Sequence, residues 1–285
     1  MRKIGIGSGS YIKDWDTDLN EAFRLMKFHG FDCVDLRLMT TEPSPKNIYD
    51  KDDAKFESIL RKLKDAAENA GIEIYQAHGP WRYPPKDATA EDRAEWRAYM
   101  EKGMYACSMV GCKYFVVHPI MPFGTGAAPD NEIFYKLNYE FFKSLIPTAK
   151  KYGVIVCVEN MPFRAQSLAR PNEIADFVKD LDSDSICACL DTGHAAVLGF
   201  DCGESVKIMK DKLVTLHVHD NDGAKDLHQF PFDGTIDWTS FANALKDIDE
   251  NVVLTLETSA SRDREDWDDK QKELADRAKK IINLI

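Results

Sequence analysis

Lys151-Tyr152-Gly153-Val154-Ile155-Val156-Cys157-Val158-Glu159-Asn160 contains the joint from which the whole chain is built. Residues 134–151 carry an amphipathic helical pattern, and Gly153 supplies the left-handed residue that closes such a helix. The apolar run 155–159 that follows is continuous, not alternating, as expected of a parallel strand covered on both faces. It ends on a carboxylate. The same joint recurs outward in both directions. Gly30, Gly71 and Gly111 precede runs 33–38, 73–76 and 114–118, and further runs lie at 3–7, 186–191, 214–219 and 252–257. Amphipathic segments fill the intervals: 53–70 sets Phe56, Ile59, Leu60 and Leu63 on one face, and 238–248 behaves similarly. Eight β-then-α units without a linker or low-complexity stretch predict one α/β domain over residues 1–285, a closed (β/α)8 barrel of the TIM type. An open doubly wound sheet would carry a Gly-rich phosphate loop after its first strand, and Gly5-Ile6-Gly7-Ser8-Gly9 matches that poorly.

Composition narrows the function. Lys and Arg total 37 against 48 Asp and Glu, for a formal net charge of −11, which repels a phosphate polymer unless a basic groove overrides it. The basic stretches Arg61-Lys62-Leu63-Lys64 and 207–212 sit in helical patterns among acidic residues and read as solvated faces. A nucleic-acid partner is not expected. Of the seven cysteines, Cys33, Cys157, Cys187 and Cys189 lie in apolar runs and Cys107 and Cys112 in helical segments, so buried reduced thiols are expected, Cys187-Ala188-Cys189 included. Met1-Arg2-Lys3 leads straight into the first strand with no leader pattern, and no apolar stretch approaches the ~20 residues of a membrane span. A cytoplasmic protein is the expectation. Trp267, Leu274, Ala278, Ile281 and Ile282 pattern as the last barrel helix, with a homo-oligomer interface as the alternative use of that face.

In such a barrel, chemistry gathers at the C-terminal ends of the strands. Those ends are loaded here. His78, His118, Glu159, Asp191, His217 with His219, and Glu257 close six consecutive strands, and His194, Asp226 and His228 follow just after. Six of the seven histidines fall on this one rim; His29, at a helix end beside Gly30, needs only a structural role. Imidazole and carboxylate are the donors that Zn²⁺ and Mn²⁺ take, and a ring of carboxylates in a poorly solvated mouth is costly without a cation. One or more divalent metal ions per chain are therefore expected. Trp81, Tyr83, Phe123 and Phe163 among the rim loops suit a small, partly apolar ligand or sugar ring, and Trp15, Arg82 and Arg164 are further rim positions.

Val158-Glu159-Asn160, Leu190-Asp191-Thr192-Gly193-His194, His217-Val218-His219-Asp220-Asn221, Asp226-Leu227-His228, Leu256-Glu257-Thr258 and Gly234-Thr235-Ile236-Asp237-Trp238 together resemble the xylose-isomerase-like barrel superfamily. That superfamily joins endonuclease IV with sugar isomerases and ketose 3-epimerases. The ketose-epimerase pattern implies a single metal on Glu159, Asp191, His217 and Glu257. The endonuclease IV pattern implies a trinuclear zinc cluster that adds His78, His118, His194, Asp226 and His228. Every one of these positions carries a suitable residue. The endonuclease's Asn-Leu-rich recognition loop is absent, its place taken by His78-Gly79-Pro80-Trp81-Arg82-Tyr83-Pro84-Pro85.

The resemblance implies first a metal-dependent isomerase or epimerase of a sugar or sugar phosphate. The metal would polarise a carbonyl and stabilise an enediolate, while Glu159 and Glu257 pass a proton off and onto the substrate carbon. His194 would assist, Trp81, Phe123 and Arg164 would contact substrate, and Asp220 is the expected partner orienting His217. The alternative it implies is a multinuclear zinc phosphoesterase.

Overall fold

The apolar runs become eight parallel strands and the amphipathic segments between them become the surrounding helices. The computed structural model describes residues 2–38, 48–81 and 84–285, so the loop positions Arg82 and Tyr83 lie outside the described residues. In chain order the elements are β1 (Ile4–Gly7), α1 (Leu19–His29), β2 (Cys33–Arg37), α2 (Asp53–Ala70), β3 (Glu73–His78), α3 (Ala90–Val110), β4 (Tyr114–Val117), α4 (Asn131–Tyr152) and β5 (Ile155–Glu159). There follow α5 (Pro171–Asp180), β6 (Ile186–Asp191), α6 (Thr192–Val197), α7 (Cys202–Met209), β7 (Leu213–His217), α8 (Trp238–Leu245), β8 (Leu254–Leu256) and α9 (Trp267–Ile282).

Consecutive strands from β1 to β7 pair in sequence order, and β1 also pairs with β8. The ring closes just beyond β7, where Val218 N donates to Thr255 O (2.8 Å) and Glu257 N to Val218 O (3.1 Å). The predicted barrel is therefore observed. Helices α1 to α4 end on Gly30, Gly71, Gly111 and Gly153, each with positive φ, as their sequence positions predict. Five strands are shorter than their apolar runs, and in three of them this matters for the site. β4, β7 and β8 leave the ladder before His118, His219 and Glu257, which places those residues in the first positions of the mouth. Helix α9 buries Trp267, Leu274, Ala278 and Ile281 against the barrel. All seven cysteines are buried and unpaired.

Two local features prepare the site. Between Val34 and Asp35 the β2–β3 register shifts, leaving Tyr75 unmatched and setting Asp35 opposite Gln76. Beyond β7, the buried Asp220 organises the long loop to α8. Its Oδ1 accepts from Asn221 N (2.9 Å) and Ile236 N (3.2 Å), and its Oδ2 from Phe232 N (3.0 Å) and Trp238 Nε1 (3.0 Å). Four donors, two of them buried, thus depend on one carboxylate. Asp220→Ala should lower unfolding stability by about 3 kcal/mol in a denaturant titration, and Asp220→Asn by less, because its amide oxygen still accepts.

Candidate metal and catalytic site

His217 is the centre of the mouth. It closes β7, is fully buried, and has carboxylates on both ring nitrogens. Nε2 lies 2.8 Å from Asp35 Oδ2, while Nδ1 lies 2.9 Å from Glu159 Oε1 and 3.1 Å from Glu257 Oε2. Asp35, and not Asp220, is therefore the partner that orients His217; Asp220 is occupied by its own loop. Asp35 is held in turn by Gln76 Nε2 (3.0 Å), and Gln76 Oε1 accepts from Thr255 Oγ1 (3.2 Å). A carboxylate on Nε2 fixes the proton there and turns the Nδ1 lone pair toward Glu159 and Glu257. A lone pair facing two carboxylates is repulsive unless a proton or a metal ion lies among them.

Three donor groupings surround this point, and His78, His217 and Glu257 make a fourth that overlaps the first two. Glu159, Asp191, His217 and Glu257 each direct one donor atom into a space where all four atoms lie within 4.8 Å of one another. His78 and His118 join Glu159 on its other side, with their Nε2 atoms 3.6 Å and 3.0 Å from Glu159 Oε2. His194, His219, Asp226 and His228 form the third. There Asp226 Oδ2 lies 3.3 Å from Nε2 of both His194 and His228. His219 Nε2 stands 3.1 Å from Asp191 Oδ2, which links the third grouping to the first. Every candidate ligand from the sequence is thus brought together. Asp35 was not among the residues expected at the site, and His219, expected on the rim, was not among the expected ligands. The available signals were an acidic residue inside the buried run 33–38 and the His217-Val218-His219 spacing.

Local structure explains the placement. Asp191 caps α6, accepting from His194 N at 2.6 Å, which sets His194 one turn inside the mouth. Gly193 leaves the room that His219 occupies, since a Cβ there would stand 1.9 Å from His219 Cε1. His228 sits in a left-handed backbone conformation (φ 46°), held by Thr258 Oγ1 donating to its carbonyl at 2.5 Å and by its own Nδ1 against Glu257 O at 2.6 Å.

The charges are mutually dependent. Burial disfavours ionising Glu159, but His217 and His118 outweigh it and hold the carboxyl well below the usual range. Glu257 is likewise held low, burial being overcome mainly by His217. His217 is pushed well up, the opposing effect of burial outweighed by Glu257, Cys189 and Glu159. Burial also opposes charge on His194 and His228, yet Asp191 and Asp226 around the first raise it to about 10, and Asp226 and Glu257 around the second raise it to about 9. His118 goes the other way, lowered by burial.

A divalent cation fits these residues. Glu159 Oε2, Glu257 Oε2 and His118 Nδ1 are buried and make no hydrogen bond, although Glu159 Oε2 is only 3.0 Å from His118 Nε2. Donor atoms that approach without bonding one another are what a shared ion requires. In the first grouping His217 Nδ1 lies 2.9 Å from Glu159 Oε1 and 3.1 Å from Glu257 Oε2, near the roughly 3.3 Å expected between donors in a tetrahedral shell with bonds of about 2.0–2.1 Å.

Two adjoining lobes open above the donors and share Arg37, His78, His228 and Glu257. The smaller, about 400 Å³, is walled by Trp81, Met161, Pro162 and Phe163 together with His118 and His194. Trp81 packs edge-on against His118 with centroids 4.5 Å apart. The larger, about 660 Å³, runs along β1 and the loop after β8. Phe123 and Arg164 line neither lobe. Phe123 is exposed at the rim, and the Arg164 guanidinium is taken up by the carbonyl of Val197.

Residues 23–281 match the family described as Xylose isomerase-like TIM barrel. The chain belongs to that family. Among its relatives is the uncharacterized protein MJ1311 of Methanocaldococcus jannaschii, 29% identical over an alignment covering 99% of this chain and 90% of that protein. Its fold is similar to that of a D-psicose 3-epimerase crystallised in the presence of D-fructose, at a TM-score of 0.77 and 18% identity, covering 98% of this chain and 99% of that one. It is also similar to the IolI protein with a bound zinc atom, at a TM-score of 0.75 and 20% identity, covering 99% and 97%.

Because metal must displace protons from the raised imidazoles, metal uptake by chelated protein at pH 7 should release protons. Calorimetry in buffers of different ionisation enthalpy reads this, and a buffer-independent heat would contradict it. The sign for the metal-free fold follows from the same values. Charged His194 and His228 stabilise it fully below pH 6.5, and that contribution is lost as pH rises through about 9 to 10. Asp35→Asn should weaken metal affinity about 10- to 100-fold, measured by competition with a chelator.

Proposed function

We propose that this chain is a divalent-metal-dependent epimerase or isomerase of sugars, moving a proton at a carbon next to a carbonyl. The observation that carries the reading is the convergence of Glu159 and Glu257 on one point. They approach from β5 and from the residue after β8, each with a buried oxygen free of hydrogen bonds, beside a cavity of sugar size. Glu159, Asp191, His217 and Glu257 would hold the ion. A bound divalent ion supplies Lewis-acid polarisation of a carbonyl and its neighbouring hydroxyl, which acidifies the intervening C–H.

The residues of the chain do the rest. Both carboxylates are ionised at neutral pH, so either can accept a proton. Glu257 reaches the cavity and takes the proton from one face, while Glu159, first protonated by the adjoining His78 imidazolium, delivers a proton to the other, and Glu257 and His78 then exchange protons with solvent. His194 lines the same lobe and positions a substrate hydroxyl, and Trp81 and Phe163 cover the apolar face of the sugar and exclude water. Similarity in fold to a protein named a D-psicose 3-epimerase and to a zinc-bound IolI supports the reading.

Glu159→Gln and Glu257→Gln should each lower kcat by about 10³-fold or more. Exchange of the substrate C–H for deuterium, followed by NMR across a panel of ketoses and ketose phosphates, measures this. Turnover retained in both variants, with metal content intact, would sink the assignment.

One observation favours a second reading, a multinuclear zinc phosphoesterase: the groupings around His78 and around His194 adjoin the first and offer donors for further ions. Elemental analysis of wild type and His78→Ala separates the two. One ion per chain, kept in the variant, fits the epimerase; two or three zinc ions, one lost with His78, fit hydrolysis.

A further inference from the structure

The two lobes of the mouth differ in chemistry. The smaller is aromatic and apolar on its outer wall. The larger is lined by Lys13, Arg37 and Arg262, with serine hydroxyls between them; its carboxylates are Asp35 and Glu257 at the donor end and Asp263 at the rim, and Leu227 is its one large apolar residue. The three cations come from the chain after β1, the end of β2 and the loop after β8, neighbouring positions on the rim of a chain whose net charge is −11.

Their pairing is the informative part. Arg37 ends β2, is exposed, and lies where both lobes meet. Its backbone N–H is anchored on Ser8 Oγ (2.9 Å), and its Nη1 stands 3.7 Å from the position a Cβ on Gly9 would take, so the side chain crosses the β1 loop into the larger lobe. Among the described residues no carboxylate pairs with the Arg37 guanidinium. Arg262 is the same in this respect. Its guanidinium stacks over Trp267 at 4.6 Å and makes only long contacts, 3.4 to 3.5 Å, to the carbonyls of Tyr11 and Ser10. Lys13 has one partner, Asp263, and both side chains are largely exposed, so that pair opens at little cost. Guanidinium groups left without carboxylates beside an anionic donor cluster are placed to hold an anion away from it, and a planar fork suits the oxygens of phosphate.

We infer that the larger lobe binds the phosphate of a ketose phosphate, with Arg37 as the principal contact and Arg262 and Lys13 completing the cradle. This rests on the sugar epimerase or isomerase reading above and specifies its substrate class. The carbonyl end lies over Glu159 and Glu257, and the phosphate end projects past Glu257 toward the loop after β8. One dianion needs one cradle, so the lobe is compatible with a surface that repels a polyanion.

The test uses metal-loaded protein and has two arms. In the first, kcat/KM is compared for a neutral ketose, its terminal phosphate and the corresponding keto acid, in wild type, Arg37→Met and Arg37→Lys. The phosphate is expected to be preferred. Arg37→Met should cut the phosphate-to-neutral ratio roughly 10- to 100-fold, with partial recovery in Arg37→Lys. Equal use of neutral and phosphorylated sugar, a ratio unmoved by Arg37→Met, or a preference for the keto acid would each overturn the inference. The second arm needs no turnover. Inorganic phosphate binding is titrated calorimetrically in wild type, Arg37→Met and Arg262→Met. Weaker binding in both variants supports the cradle even if no ketose is turned over, whereas binding that is absent, or unchanged because phosphate sits on the metal, overturns it.

Discussion

His217 has a carboxylate on Nε2 and two more on Nδ1, all within 3.1 Å, Asp35 and Glu159 buried and Glu257 half-buried, and the rest of the mouth follows from that imbalance. Three acids around one imidazole cannot coexist in a low-dielectric interior without further positive charge. In the metal-free chain, protons on the surrounding histidines provide it. A divalent ion provides it better, because it satisfies the oxygens of Glu159 and Glu257 that no hydrogen bond reaches. The barrel supplies the rigidity that keeps these groups from relaxing apart: each is anchored at or next to the end of a strand in a closed ladder.

The second tier of contacts shows how much of the fold serves this point. The register shift in β2 turns Asp35 toward His217, and the Thr255–Gln76–Asp35 chain crosses the barrel interior to fix that carboxylate. Asp220 holds the loop that carries Asp226 and His228, and Gly193 leaves the space for His219. Most of these polar groups are hydrogen-bonded, which lets a buried network add order, while Asp35 Oδ1 makes no hydrogen bond. Buried side-chain atoms of Asp35, Glu159, Glu257 and His118 that make no hydrogen bond face the mouth, where chemistry is proposed.

The lobes above the donors divide recognition from reaction. Apolar walls around Trp81 and Phe163 favour the face of a sugar ring or chain, whereas the Arg37 lobe offers charge and hydroxyls. Since Glu257 lines both, a ligand spanning them is held across the reacting position at two ends. Such two-point attachment is how binding energy remote from the reaction orients the reacting carbon.

Much of this was legible in the sequence. Continuous apolar runs separated by amphipathic segments with Gly at their ends dictate parallel strands and covering helices, because both signals are local. The same locality shows which residues stand at strand ends, so Glu159, Asp191, His217, Glu257 and the rim histidines could be named. Which of them meet was not legible. Asp35 and His217 are 182 positions apart, and their contact depends on barrel closure and on a one-residue register shift that leaves no periodic trace. Asp220, three residues from His217 in sequence, faces its own loop for the same reason. The side-chain directions of Phe123 and Arg164 were equally hidden, because loops have no repeat from which to read them. Local pattern determined the fold and the inventory of donors; only the closed tertiary structure decided their pairing, the vacant carboxylate oxygens and the two chemistries of the mouth.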